Sequence, residues 1–196
     1  MIVSFVSKYR KVGKNHACET IVKSKVAGKV QLVEFTSALK VCADLFMDES
    51  HDKHSIVPWF GVSKIDVVNA ISGALERLHP EIPVMKIKDE IERLVIDGWH
   101  VLIPDVRRQR EFEWLDMIAE RHGFDHHILE VFPVDKEGMM MDTWQSATGE
   151  PCGYEVWRDR RRSIIANDGT EDFDAWAVSV FRSFLRDTEK HKHEEA

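Results

Sequence analysis

Residues 7–16 read SKYRKVGKNH and follow directly on the apolar run MIVSFV. Lys8, Arg10, Lys11 and Lys14 stand there without an acidic residue, and Gly13-Lys14 precede the helix-like stretch NHACETIV. Successive backbone N–H groups that converge with a helix N-terminus make an anion cradle, and a lysine inside it places charge beside a transferred phosphate. Two positions depart from the pattern GxxxxGK[ST]: Lys8 stands at the first glycine, and Asn15 replaces the hydroxyl that usually ligates magnesium. Asn15 and His16 are the nearest substitutes, neither like for like. A plain basic loop between strand and helix is the alternative reading.

A second stretch, HVLIPDVRRQREFEWL, ends an apolar run in Asp105, a carboxylate placed to orient magnesium or its waters. Arg107 and Arg108 follow, and guanidinium forks bind phosphate oxygens through two parallel hydrogen bonds. The plain alternative is a helix start carrying surface arginines. A third stretch, WRDRRRSIIANDGTEDF, brings Arg158, Arg160, Arg161 and Arg162 up to an apolar run that turns at Asn167-Asp168-Gly169. Such a cluster is either a solvated edge or a source of charge for a phosphoryl transition state.

These residues need elements to hold them. Short β-rich runs at 2–6, 30–35, 100–104, 126–132 and 163–166 alternate with helical periods near 14–26, 36–48, 63–78, 86–97, 108–122 and 170–187. Ser63 and Asp66 have the spacing of a capping box at the third helix. The alternation predicts a five-stranded parallel sheet covered on both faces, an α/β three-layer fold whose ligands bind beyond the carboxyl ends of the strands. Segment 135–160 has no clear period and contains Gly138, Gly149, Pro151 and Gly153, which marks it as a lid. Residues 186–196 carry no apolar side chain before the last alanine and are expected to form a flexible tail, leaving one domain over 1–185.

With 196 residues, 43% apolar and 31% charged, the chain has the composition of a globular domain. A formal charge of −7 argues against a binder of nucleic acid that relies on a global positive field. Cys18, Cys42 and Cys152 form no CxxC pair, no run approaches the length of a membrane span, and MIVSFV is too short for a signal peptide. A cytoplasmic protein without a membrane partner is the expectation.

Taken in order, the motifs resemble those of the bacteriophage deoxynucleoside monophosphate kinases and the related animal-type phosphomevalonate kinases, a branch of the P-loop kinases. The resemblance covers most of the chain. SKYRKVGKN matches a loop like SGxKRSGKD, TSALK ending at Lys40 matches a GPIK or GPLK turn, Asp105-Val106-Arg107 matches DTR or DVR, and Asn167-Asp168-Gly169 matches NDG or NHG. It implies a three-layer α/β/α P-loop kinase fold with a lid, ATP and Mg²⁺ as cofactors, and transfer of the γ-phosphoryl group to a (deoxy)nucleoside monophosphate in a bacterial host. Carried over, Arg10, Lys11, Val12, Gly13, Lys14, Asn15 and His16 would hold the ATP phosphates, and Asn167, Asp168 and Gly169 would border the adenine. Asp105 would serve the magnesium. Lys40, Arg107 and Arg108 would face the acceptor phosphate, with Lys14, Asp105 and Arg107 as the catalytic set and Arg158, Arg160, Arg161 and Arg162 closing from the lid. The acceptor helix of that family has no convincing counterpart, since SKIDVVNAISGALERL contains Arg77 as its one arginine.

Two other functions share some of these features. A kinase acting on 5-hydroxymethyluracil in phage DNA would use the same loop and the Arg158–Arg162 cluster, with Asp105 as the base for a hydroxyl acceptor. A non-catalytic nucleotide-binding protein would explain Lys8, Asn15 and His16, but not the retention of Lys14 and Asp105 together. Whether two copies pair as a homodimer stays open. His51 and His54, and His126-His127, lack the further ligands of a zinc site. Met139–Met141 read as lid packing, and Trp59, Phe60 and Trp144 as packing or a base pocket.

Overall fold

The computed structural model describes residues 1–7, 12–47, 56–57, 61–106, 108–134 and 162–194. They divide into two compact units, one formed by Met1–Val33 with Arg93–Ala196 and the other by Glu34–Glu92.

The first unit is built on β1 (Ile2–Val6), β2 (Val30–Leu32), β5 (His100–Ile103), β6 (His126–Pro133) and β7 (Ser163–Asn167). All pair in parallel in the order β2-β5-β1-β6-β7, so the first strand in sequence lies in the middle. Ile2 to Val6 are buried without exception, as expected of a parallel strand covered on both faces. Val3 and Phe5 join Leu129, Val131 and Ile165 in a core closed by α1 (Lys14–Ser24) and α6 (Glu171–Glu194) through Ala17, Ile21, Phe173, Ala177 and Phe181. Ser4 projects to the other face, because neighbouring side chains alternate across a sheet. There α5 (Gln109–His122) covers it: Ser4 Oγ lies 2.8 Å from His126 Nε2, His126 Nδ1 lies 2.6 Å from Asp116 Oδ1, and the His126 ring stacks on Phe112. Helices on both faces of one parallel sheet make the three-layer α/β/α arrangement that the strand–helix alternation predicts.

The second unit contains α2 (Ser37–Asp44), the short antiparallel pair β3 (Ile56–Val57) and β4 (Val62–Ser63), α3 (Lys64–Leu78), and α4 (Ile82–Ile96) as far as Glu92. Leu39, Ala43 and Val68 form its small core. The capping box at α3 is present: Ser63 Oγ accepts from the Asp66 N–H, and the Ser63 N–H donates to Asp66 Oδ2 at 2.9 Å. A cap of this kind contributes about 1 kcal/mol. Lys64 pairs with Asp44 and ties the start of α3 to the end of α2.

Several boundaries differ from expectation, among them the end of α2 at Asp44 rather than 48. The strand expected over 30–35 pairs only to Leu32, although the Val33 N–H still donates to the Leu102 carbonyl at 2.9 Å. α4 starts at Ile82 rather than 86, since Pro83 falls in its first turn, where a missing N–H costs nothing. α6 continues to Glu194, so residues 186–194 are helical; no glycine or proline stops them, and Lys and Glu are good helix formers. The segment expected as a lid, 135–160, lies outside the described residues. No helix among the described residues is long and apolar enough to cross a membrane.

His127 gives the first unit a pH dependence. Its ring stacks on Phe184 of α6 at 4.3 Å, and its Nε2 is buried without a hydrogen-bond partner among the described residues. Burial holds the imidazole below the ordinary 6.5, outweighing the upward pull of Asp125 and Asp187. The folded state therefore binds fewer protons than the unfolded chain, and this stability, complete above the unfolded pKa, is lost as pH falls through the folded one. His127→Phe keeps a ring against Phe184 and cannot titrate. Its melting temperature should fall less between pH 7.5 and 5.5 than that of the wild type. Equal falls in thermal melts of both proteins would remove His127 from the acid response.

Candidate functional site

The central strand delivers the loop. β1 ends at Val6, Ser7 is buried, and the described chain resumes at the buried Val12 and at Gly13, which has φ +88°. α1 begins at Lys14, its first closing bond running from the Ala17 N–H to the Gly13 carbonyl at 2.8 Å. No acidic residue lies in this first turn, so nothing there opposes an anion at the positive end of the helix. Lys14 is half-buried and Asn15 is exposed. β1 pairs β5 with Ser4 opposite Ile103. Asp105 follows two residues further on, in the turn that leaves β5, at the edge from which the loop departs.

β7 and α6 hold the other side of the loop. Asn167 Nδ2 donates to the Val12 carbonyl at 2.8 Å, and its Oδ1 accepts from the Gly169 N–H at 2.9 Å. A β-carbon on Gly13 would come within 2.6 Å of Asn167 Nδ2 and 3.4 Å of Phe173. Only glycine satisfies both the positive φ and this contact. Asp168 Oδ1 accepts from the hydroxyl and N–H of Thr170, and these bonds hold its carboxyl below the usual aspartate range. His16 Nε2 lies 2.8 Å from Asp174 Oδ1 on α6, Thr20 donates to the same oxygen, and the imidazole stacks on Phe173. The turn 167–169 and the start of α6 thus brace residues 12–20.

The remaining predicted residues have specific surroundings. Arg108 precedes α5, where its N–H donates to Glu111 Oε2 at 2.9 Å. Lys40 belongs to α2 in the second unit and pairs with Glu34. Arg162 Nε donates to Glu130 Oε2. Glu130 is fully buried, opposite Val6 on one side and Ile164 on the other, and its Oε1 has no partner among the described residues. Arg10, Lys11, Arg107, Arg158, Arg160 and Arg161 lie outside the described residues, as do His51, His54, Trp59, Phe60, Met139–Met141 and Trp144. The site therefore brings together Val12, Gly13, Lys14, Asn15 and the Asn167–Gly169 turn, with Asp105 placed by register. Glu34, Glu130, Phe173 and Asp174 belong to no motif in the sequence. Glu130 and Asp174 meet partners 32 and 158 residues away, beyond any short-range spacing.

Ser4, His126 and Asp116 have the residue types of a nucleophilic relay, at 2.8 and 2.6 Å. Ser4 has no exposed surface and sits inside the central strand, so no substrate carbonyl reaches its oxygen. The chain of bonds fastens α5 to the sheet. Among the described residues no three metal-ligating side chains converge.

No protein-family model matches the chain, and no curated protein sequence matches it significantly. Its fold is similar to that of a candidate kinase from Chloroflexus aurantiacus, with 10% identity, 95% of this chain and 96% of that chain covered, and a TM-score of 0.52. A tunicamycin resistance protein from Deinococcus radiodurans (11% identity, 92% and 94% covered) and a de novo designed P-loop fold protein (13%, 95% and 94%) overlap less, at TM-scores of 0.49 and 0.44. The likeness to the Chloroflexus aurantiacus protein agrees with the three-layer α/β/α fold.

The Glu130–Arg162 pair sets a stability expectation. Removing one partner of a buried ion pair leaves an uncompensated charge and costs about 3–5 kcal/mol, whereas replacing both by apolar residues is often near neutral. Arg162→Met should be strongly destabilised in urea melts, and Glu130→Leu/Arg162→Met should recover most of the loss. A single variant within about 0.5 kcal/mol of wild type would show the pair to be no more than a surface contact.

Proposed function

We propose that this chain is an ATP-dependent kinase that transfers the γ-phosphoryl group to a (deoxy)nucleoside monophosphate. The observation that carries the reading is Gly13-Lys14 at the junction of the central strand and α1, with Asp105 ending the neighbouring strand at the same edge. Open parallel sheets bind ligands at that edge. Asp105 and Asn15 offer the hard oxygen donors that suit magnesium, which when bound would neutralise charge on the ATP phosphates. In this reading the N–H groups at residues 13–15 and the Lys14 ammonium hold the donor phosphates, and Arg107, with Arg108, holds the acceptor phosphate. An ionised phosphate acceptor requires no general base, so the protein's work is alignment and charge stabilisation.

An ATP-consumption screen against nucleoside monophosphates, phosphomevalonate and DNA containing 5-hydroxymethyluracil tests the acceptor class. Turnover with a nucleoside monophosphate alone is the expected result, and turnover confined to either other substrate overturns it. Lys14→Ala should melt like the wild type while turnover falls about a hundredfold or more, the usual cost of one preorganised donor to a developing charge. Retention of activity within a few-fold would remove the phosphate loop from the chemistry.

Arg107→Lys separates the two substrates. Lysine keeps the charge and loses the bidentate fork, and a charge-assisted hydrogen bond contributes about 1.5–3 kcal/mol. The acceptor KM should rise roughly ten- to a hundredfold with little change in the ATP KM. A rise in the ATP KM instead would place Arg107 on the donor side.

A further inference from the structure

We propose that Asn167 is the positioning residue of the phosphate loop, fixing the Val12–Gly13 peptide so that the Gly13 N–H points toward the anion. The inference rests on the kinase reading above and changes the role of Asn167 from a border of the adenine to a brace of the donor phosphates. A trans peptide is planar, with its C=O and N–H directed oppositely. The Asn167 amide draws the Val12 carbonyl toward β7 at 2.8 Å, so the Gly13 N–H is directed away from β7. Glycine at φ +88° has no β-carbon to resist rotation of this peptide, and the side-chain bond supplies what the backbone lacks.

Asn167 is itself well fixed. Its carbonyl accepts from the Val134 N–H at 2.9 Å, which holds its main chain to the end of β6. Its Oδ1 accepts from the Gly169 N–H, which sets the amide so that Nδ2 faces Val12. Phe173 closes the same space from α6, 3.4 Å from where a Gly13 β-carbon would lie. The carboxyl end of β7, an edge strand, thereby sets a peptide in the loop that leaves the central strand.

The decisive variants are Asn167→Ala and Asn167→Asp. Alanine removes the donor. Aspartate has nearly the same shape but presents only acceptors, which repel the Val12 carbonyl and favour the rotated peptide with the Gly13 N–H bound to the carboxylate. The Kd for ATP–Mg²⁺ should therefore rise about fivefold in Asn167→Ala and roughly ten- to a hundredfold in Asn167→Asp. A role in packing alone predicts the reverse order, because aspartate preserves the volume. NMR of the ligand-free proteins gives a second readout: the Gly13 amide proton should move downfield in Asn167→Asp as it gains a charged acceptor. Asp equal to or milder than Ala in ATP binding, or an unmoved Gly13 amide, overturns the positioning role. A wild type that binds no ATP overturns the kinase reading instead, and the Gly13 amide shift still decides whether Asn167 sets the peptide.

Discussion

At Gly13 the chain leaves the middle strand of a parallel sheet for a helix, in a conformation and a space that admit no side chain. Much of the candidate site follows from that point. The positive φ turns the backbone so that α1 starts at Lys14, which puts the lysine and the first-turn N–H groups of the helix at one edge of the sheet. β1 is central, so the carboxyl ends of β5 and β6 flank the loop, and β5 carries Asp105 just beyond its end. A loop leaving an edge strand would have a neighbour on one side only.

The charges follow the same geometry. The chain is acidic overall, yet described cations assigned to the site are answered by specific acids: Lys40 by Glu34 and Arg162 by Glu130. A cation already paired contributes little to a long-range field and much to local shape. Arg162 therefore acts first as the counterion of a buried carboxylate beside β1. Under the kinase reading a nucleotide is held by local geometry at residues 12–15 rather than by a long-range field.

The sheet was legible from sequence because its signals are local. Five apolar runs separated by helical periods fixed strand number and parallel sense, and Ser63 with Asp66 announced the cap of α3. The β3–β4 pair was not legible, since two residues on each side carry no period. Helix ends drifted where propensity and pattern disagree, at Pro83 and beyond Arg186. In the site, residue types at Gly13, Lys14, Asp105 and Asn167 stood out by motif, but their partners did not. Glu130, Phe173 and Asp174 look like ordinary members of a strand and a helix until folding brings them to Arg162 and His16. Long-range pairing leaves no short-range spacing to read.

The engagement of His16 bears on the missing hydroxyl at residue 15. Two residues stood in for it by sequence, Asn15 and His16, and the structure commits His16 to Asp174 and Phe173 on α6. Under the kinase reading, Asn15, exposed in the first turn of α1, holds the position in sequence where a phosphate loop carries its hydroxyl. Its amide offers a neutral oxygen, as a serine or threonine does, but on a longer arm with a second, donating end. A hard cation accepts that oxygen, while the amide nitrogen can donate to a phosphate oxygen. Under the kinase reading, the substitution moves part of the work from metal ligation to direct phosphate contact. Asp105 is then left with the larger share of the metal's charge.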